Sequence, residues 1–169
     1  MGRIVKGVKN GPSPEWLQNQ LKAIGLRPIS ALVDITNFIT YDRARPLHFY
    51  DVSKLKGGIT VRMGKDEKFD ALDDKAYTAT SEDVAITDAS GILGLGGIVG
   101  GTTTGCDEGT TEILIEAAYF DPLTIRRSAK RLGVNSDAKY RFERGVDTCL
   151  LYTSPSPRDA TLSRMPSSA

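Results

Sequence analysis

Apolar and polar positions alternate between residues 3 and 8, the period of a short strand, before Gly11-Pro-Ser-Pro14 breaks the pattern. Ser13 then stands where a helix cap belongs, with Pro14 at the first helical position. Trp16, Leu17, Leu21 and Ile24 recur at helical spacing as far as Gly25. Residues 29–40 are apolar and β-branched, and periodicity alone fits a strand or a buried helix. Pro46 pushes Arg45 into extended geometry, so Arg45-Pro-Leu-His48 reads as a loop or the start of a strand. Short runs at 59–63, 69–72, 76–78, 84–88 and 92–94, separated by turn residues such as Asp73-Asp74, predict a β-rich middle. Residues 113–117 predict a strand with Glu116 near its end. Phe120-Asp-Pro122 supplies a cap, and residues 123–132 predict a helix closed by Gly133. Strands adjacent in sequence favour an α+β fold, with mixed or antiparallel sheets and flanking helices, over a doubly wound sheet.

After Asp147 the character changes. Residues 149–169 hold three of the eight prolines and five serines with no strand or helix period, the composition of a disordered tail. A sharper reading comes from back-translation. Cys149-Leu-Leu-Tyr-Thr-Ser-Pro-Ser-Pro-Arg-Asp159 can be written with codons that match a transposase mosaic end followed by a sequencing adaptor, and residues 162–169 match the flow-cell end of that adaptor. The expectation is that 149–169 is translated library DNA and stands outside the fold. Residues 1–12 then read as an incoming strand and linker, and 13–148 as the domain.

The 169 residues carry 22 Lys plus Arg, 21 Asp plus Glu, one His and two Cys. Removing the tail leaves 20 bases against 20 acids, so no global charge draws in a polyanion. The distribution is uneven, however. Residues 66–91 hold eight acids against Lys68 and Lys75, whereas Arg126, Arg127, Lys130, Arg131, Lys139, Arg141 and Arg144 face only Asp137 and Glu143 within 126–144. That second segment is the candidate surface for RNA. A mean hydropathy of −0.24 without a run of about 20 apolar residues argues against a membrane span, and two cysteines make no disulfide framework, so a reducing, cytoplasmic setting is expected.

Three features carry candidate chemistry. The crowded glycines of Gly94-Leu-Gly-Gly-Ile-Val-Gly-Gly101 fit neither a P-loop nor a dinucleotide fingerprint; they read as a backbone that a ligand approaches, or as a tightly packed bend. His48 is the single histidine and has no companion ligands for a metal, leaving an acid-base or orienting role or a satisfied structural one. Glu116 follows an apolar run, so it is either drawn into a half-buried setting that requires a partner or exposed at a strand end. Between Ser136 and Gly145 basic and aromatic residues alternate, which suits phosphate contact with stacking or a strand edge with a charged outer face.

Several stretches together resemble the B3/B4 domain of the bacterial phenylalanyl-tRNA synthetase β subunit. They are Gly11-Pro-Ser-Pro-Glu-Trp-Leu17, Ile24-Gly-Leu-Arg-Pro28, Val33-Asp-Ile-Thr-Asn37, Arg45-Pro-Leu-His48 with Asp51, Gly96-Gly-Ile-Val-Gly-Gly101, Ile115-Glu-Ala-Ala-Tyr-Phe-Asp-Pro122, Ser136-Asp-Ala138 and Arg141-Phe-Glu-Arg-Gly-Val-Asp147. The resemblance spans residues 3–147, a fraction of that long subunit.

It implies a post-transfer editing pocket that hydrolyses tyrosine wrongly esterified to phenylalanine tRNA. The family's Asn and His match Asn37 and His48, which would orient the ester end and the attacking water. Gly97, Gly100 and Ala138 would leave room for the ring, Glu116 would accept the tyrosine hydroxyl, and Ser136 replaces a Thr while keeping the hydroxyl. The usual Met of the glycine loop is Val99, and an Arg of some members is Ala31. No cofactor or metal is implied for this domain; the parent ligase needs ATP, Mg²⁺ and the α subunit of an α2β2 heterotetramer, and it binds tRNA(Phe). The rival expectation is a non-catalytic RNA-binding module of the same kind.

Overall fold

A computed structural model describes residues 1–149; the segment 150–169, most of the stretch read as adaptor-derived, lies outside the described residues. In chain order the elements are β1 (Gly2–Lys6), α1 (Glu15–Ala23), α2 (Ala31–Asp42), β2 (Leu47–Asp51), β3 (Thr60–Met63), β4 (Glu67–Asp70), β5 (Ala76–Ala79), β6 (Val84–Asp88), β7 (Gly91–Leu95), β8 (Val99–Gly100), β9 (Glu112–Ala117), α3 (Pro122–Leu132) and α4 (Asp137–Phe142), with a 3-10 turn over Val52–Lys54. The fold is α+β, as expected. Every described strand pair is antiparallel, so of the mixed and antiparallel sheets anticipated only the antiparallel kind occurs among the described residues.

The ambiguous stretch after residue 29 is a helix, and the reason is tertiary. Asn10 Oδ1 accepts the Leu32 N–H at 3.2 Å, and the Gly11 carbonyl accepts the Ala31 N–H at 2.7 Å, so the orphan donors of the first turn of α2 are met from the preceding loop. Asp34 is fully buried and takes the Ser13 hydroxyl and, at 2.9 Å, the Ile29 N–H. This corrects the role expected of Ser13. It makes no cap for α1, whose flanking residue is Pro14 without a side-chain bond, because a buried carboxylate claims its hydroxyl instead.

Local signals elsewhere act as anticipated. Asp121 accepts the Thr124 N–H at 2.8 Å at the start of α3, and Gly133 ends that helix with φ +67°. The strand-edge reading of 136–145 fails. Ser136 caps α4 by accepting the Lys139 N–H at 3.1 Å, and Asp137–Arg141 and Lys139–Glu143 pair one turn apart, each at 3.1 Å.

Strand β9 is the centre of a three-stranded sheet ordered β1-β9-β2. A second sheet is ordered β3-β6-β7-β8, and β4-β5 form a hairpin. Tyr50, Phe69, Leu93, Leu95, Ile98, Phe120, Ile125 and Phe142 belong to one buried cluster that joins both sheets to α3 and α4. Each such side chain contributes roughly 1.5–3 kcal/mol by leaving water. Buried Arg45 ties β2 to the end of β9, donating to the Ala118 carbonyl at 2.8 Å and also to the Asp147 carbonyl. The core therefore clamps the edge of the first sheet, where β2 and β9 meet, against the glycine-rich β7–β8 turn.

Candidate active site

His48 on β2 and Glu116 on β9 are directly paired across the first sheet. Alternation along a strand returns Tyr50 to the same face as His48. Its phenol donates to Glu116 Oε2 at 2.5 Å, and the His48 ring stands edge-on to it with centroids 4.5 Å apart. These three side chains form one wall of a recess of about 100 Å³. The backbone from Gly94 to Gly100 supplies the facing wall, and Ala138 of α4 closes a third side.

The environment sets the charge of each group. Burial lowers the His48 pKa to about 4, so the imidazole is neutral at pH 7, a form able to accept or donate a hydrogen bond. Burial raises the Glu116 carboxyl, and the Tyr50 hydrogen bond pulls it partway back. Burial and the adjacent carboxylate drive the Tyr50 phenol well above its ordinary value, which keeps it a proton donor. The arrangement offers an acceptor for a hydroxyl, a neutral imidazole and a lining that is otherwise mostly apolar.

The glycine-rich stretch answers the choice its sequence left open. A Cβ on Gly96 would meet Phe120 at 2.6 Å, one on Gly97 would meet Phe120 at 2.8 Å and Phe142 at 3.0 Å, and one on Gly101 would meet the Leu93 carbonyl at 2.6 Å. Gly97 also has φ +69°. Tight packing thus accounts for these glycines, and the same bare backbone forms the wall of the recess. Gly100 differs, since the His48 ring lies where its Cβ would be.

Of the residues singled out, His48, Glu116, Gly97, Gly100 and Ala138 share this recess. Asn37 does not line it; it sits on α2, which packs against β2. Ser136 is one step behind the wall, donating to the Ile98 carbonyl at 2.7 Å while capping α4, so its hydroxyl holds the glycine turn to the helix. Tyr50 was not anticipated, although its position two residues after His48 marks it once residues 47–51 are known to be a strand.

The basic segment divides. Arg126, Lys130, Lys139 and Arg144 line a shallow depression between α3 and α4, with Glu143 among them. Arg131 instead pairs with fully buried Asp83, Arg141 lies over the Tyr41 ring at 4.4 Å, and Arg144 lies over Tyr140 at 3.6 Å. Arg127 lies elsewhere on α3, near Asp121, whose carboxyl is lowered chiefly by its hydrogen bonds from Thr124 and to a smaller degree by this guanidinium. Among the described residues no three His, Cys, Asp or Glu side chains gather as a metal site, and no helix is long and apolar enough to cross a membrane.

An antiparallel α+β domain with a hydroxyl-accepting carboxylate in a glycine-walled recess defines the class, and the chain belongs to the B3/4 domain family, whose model matches residues 1–154. That match runs past the break read near residue 148. The chain is similar to the phenylalanine-tRNA ligase beta subunit of Nitrobacter winogradskyi, with 57% identity over 150 residues, 88% of this chain and 18% of that one. The corresponding subunit of Mesorhizobium japonicum is 57% identical over 146 residues, 86% of this chain and 18% of that one. A crystal structure of an N-terminal fragment of the phenylalanyl-tRNA synthetase beta subunit from Pyrococcus horikoshii covers 68% of this chain and 37% of that one at a TM-score of 0.47 and 19% identity. The chain spans about a fifth of the length of the curated relatives it matches.

Proposed function

We propose that this domain edits: it hydrolyses the ester between tyrosine and tRNA(Phe) within a cytoplasmic phenylalanine-tRNA ligase beta subunit. The observation that carries the reading is the placement of Glu116 and His48 side by side on a recess otherwise lined by Tyr50, by the glycine-rich turn from Gly94 to Gly100 and by apolar side chains such as Ile86, Ala138 and Phe142. At about 100 Å³ the recess is about a third smaller than the roughly 150 Å³ of an apolar cavity that takes benzene, so an aromatic ring enters only as the lining gives way. Tyrosine differs from phenylalanine by one hydroxyl. A site built to bond that hydroxyl rejects the analogue lacking it by a factor on the order of 10⁴, since the carboxylate oxygen that Tyr50 does not serve is otherwise left without a donor.

In this reading Glu116 accepts the substrate phenol. His48, neutral, orients a water onto the ester carbonyl carbon, and Asn37 acts at the ester end outside the recess. Water adds to that carbon, the carbon–oxygen bond to the terminal ribose breaks, and the proton shed by the water goes to the ribose oxygen. Tyrosine and uncharged tRNA are released. Gly97, Gly100 and Ala138 border the ring as part of the recess lining, the two glycines by letting Phe120, Phe142 and His48 pack against their backbone, and Ser136 keeps the glycine turn in place. ATP, Mg²⁺ and the α subunit of an α2β2 assembly belong to aminoacylation elsewhere in the parent enzyme, and tRNA(Phe) is the shared substrate.

A second reading, RNA binding without turnover, is favoured by the depression of Arg126, Lys130, Lys139 and Arg144. Arg127, Arg131 and Arg141, also candidates for RNA contact from the sequence, stand outside that depression, with Arg131 held by Asp83 and Arg141 by Asp137 and the Tyr41 ring. One experiment separates the two. The chain is incubated with tyrosine-charged and phenylalanine-charged tRNA(Phe), and deacylation is followed beside binding. Selective loss of tyrosine that Glu116→Ala or His48→Ala abolishes is the outcome expected; binding with neither ester hydrolysed sinks the editing reading.

A further inference from the structure

Glu116 borders two spaces. One is the recess it shares with His48, and the other is a larger pocket of about 510 Å³ lined by Met1, Ile59, Val61, Leu114 and Tyr119. A carboxylate free to turn would divide its time between them, and a tyrosine hydroxyl entering the recess would have to compete with that freedom. Tyr50 removes it. Its ring is 3% exposed and belongs to the core cluster, so its hydroxyl is a fixed point, and that hydroxyl holds Oε2 at 2.5 Å. The other oxygen, Oε1, accepts no protein hydrogen bond among the described residues, and it is not a sealed, partnerless atom either.

We infer that Tyr50 is a positioning residue for tyrosine specificity: it occupies one carboxylate oxygen of Glu116 from inside the fold and presents the other to the substrate hydroxyl. The inference rests on the editing reading above. An ionised carboxylate has about four lone-pair sites and readily serves two phenols at once. One phenol comes from the core and is permanent; the other comes from the substrate. A pocket that receives phenylalanine leaves the second oxygen unserved, while tyrosine completes the pair. Tyr50 touches no reacting atom, so its effect falls on substrate discrimination and not on the chemical step.

The test uses the full chain as wild type, Tyr50→Phe, Glu116→Gln and the double variant, each assayed on tyrosine-charged and phenylalanine-charged tRNA(Phe). For Tyr50→Phe the KM for the tyrosyl ester rises about tenfold, the scale of one hydrogen bond to a charged group, with kcat within about twofold and phenylalanyl hydrolysis unchanged. In the Glu116→Gln background the same substitution changes the tyrosyl KM less than about twofold, the non-additivity of a residue that acts through its partner. Tyr50→4-fluorophenylalanine, close in shape and without a donor, replaces Tyr50→Phe if that variant does not fold, and the same results are expected of it. Unchanged discrimination in a wild type that does edit, a loss confined to kcat, or an undiminished effect beside Glu116→Gln overturns the positioning role. A wild-type chain that hydrolyses neither ester overturns the editing reading first.

Discussion

His48 rests on the bare backbone of Gly100: a Cβ built on that glycine would lie 2.5 Å from the ring Cε1 and 3.0 Å from Nε2. The two residues come from β2 and β8, strands of different sheets, so the contact fixes how the wall bearing the imidazole meets the glycine wall.

Gly100→Ala is therefore expected to act by steric displacement of the ring, because no left-handed backbone is involved at this position. Overpacking of this kind costs typically about 1–3 kcal/mol. Denaturant unfolding should show a loss in that range with the fold retained, while hydrolysis of tyrosine-charged tRNA falls by a far larger factor. Retained hydrolysis with an unmoved His48 ring resonance would show that the contact is incidental.

The burial of His48 also sets a pH dependence. In the unfolded chain a histidine takes its proton near pH 6.5, and in the fold only near 4. Between those values the unfolded state binds the proton that the folded state refuses, so the stabilising contribution is full above about 6.5 and is lost as pH falls through 4. Part of the ring faces the open recess, which discounts the effect to the order of 1–3 kcal/mol. Glu116 works in the opposite sense, since its raised folded pKa favours the fold as the solution becomes more acidic. The slope of unfolding free energy between pH 7 and 4 should flatten in His48→Gln; an unchanged slope would remove His48 as its source.

Helix α3 was legible because its signals are local: Asp121, Pro122 and Gly133 act within a turn of where they stand. Helix α2 was not, because Asn10 and Ser13 meet its first turn from a loop some twenty residues earlier. In α4 two periods coincide. Asp137, Lys139, Arg141 and Glu143 alternate as a strand would, yet the pairs they form, 137 with 141 and 139 with 143, are helical. Glu116 and His48 were recognisable as candidates, but that they face each other depends on a strand register no local pattern encodes. Arg131 read as one more base in a charged run, and only the fold reveals that Asp83, 48 positions away, holds it.

That division of the basic segment is measurable. Asp83 is completely buried and takes the Arg131 guanidinium and, at 2.8 Å, the Thr80 N–H. Removing the guanidinium leaves a buried carboxylate short of its countercharge, a loss of about 3 kcal/mol. Arg126 and Lys130 make no ion pair among the described residues. Arg131→Ala should lower the unfolding midpoint with little direct effect on RNA. Arg126→Ala and Lys130→Ala should leave the midpoint within about 0.5 kcal/mol and each reduce the salt dependence of tRNA binding by roughly one contact. A stable Arg131→Ala with weakened RNA binding would reverse the assignment.

The Ser13–Asp34 pair gives a test of the scaffold that does not involve the recess. Asp34 has no exposed surface, and its partners are the Ser13 hydroxyl and the Ile29 N–H, so it joins the loop before α1 to the start of α2. Asp34→Ala strands both donors, and an unmet buried donor costs about 1–3 kcal/mol. Ser13→Ala removes a donor and leaves the carboxylate with its backbone partner, so it should cost less. The order expected in denaturant unfolding is wild type, then Ser13→Ala, then Asp34→Ala, with the double variant close to Asp34→Ala alone because both substitutions remove the same bond. Additive losses in the double variant would mean that Ser13 stabilises the loop through some contact other than Asp34. Hydrolysis per folded molecule should stay near the wild-type value in all three variants, since neither residue lines the recess.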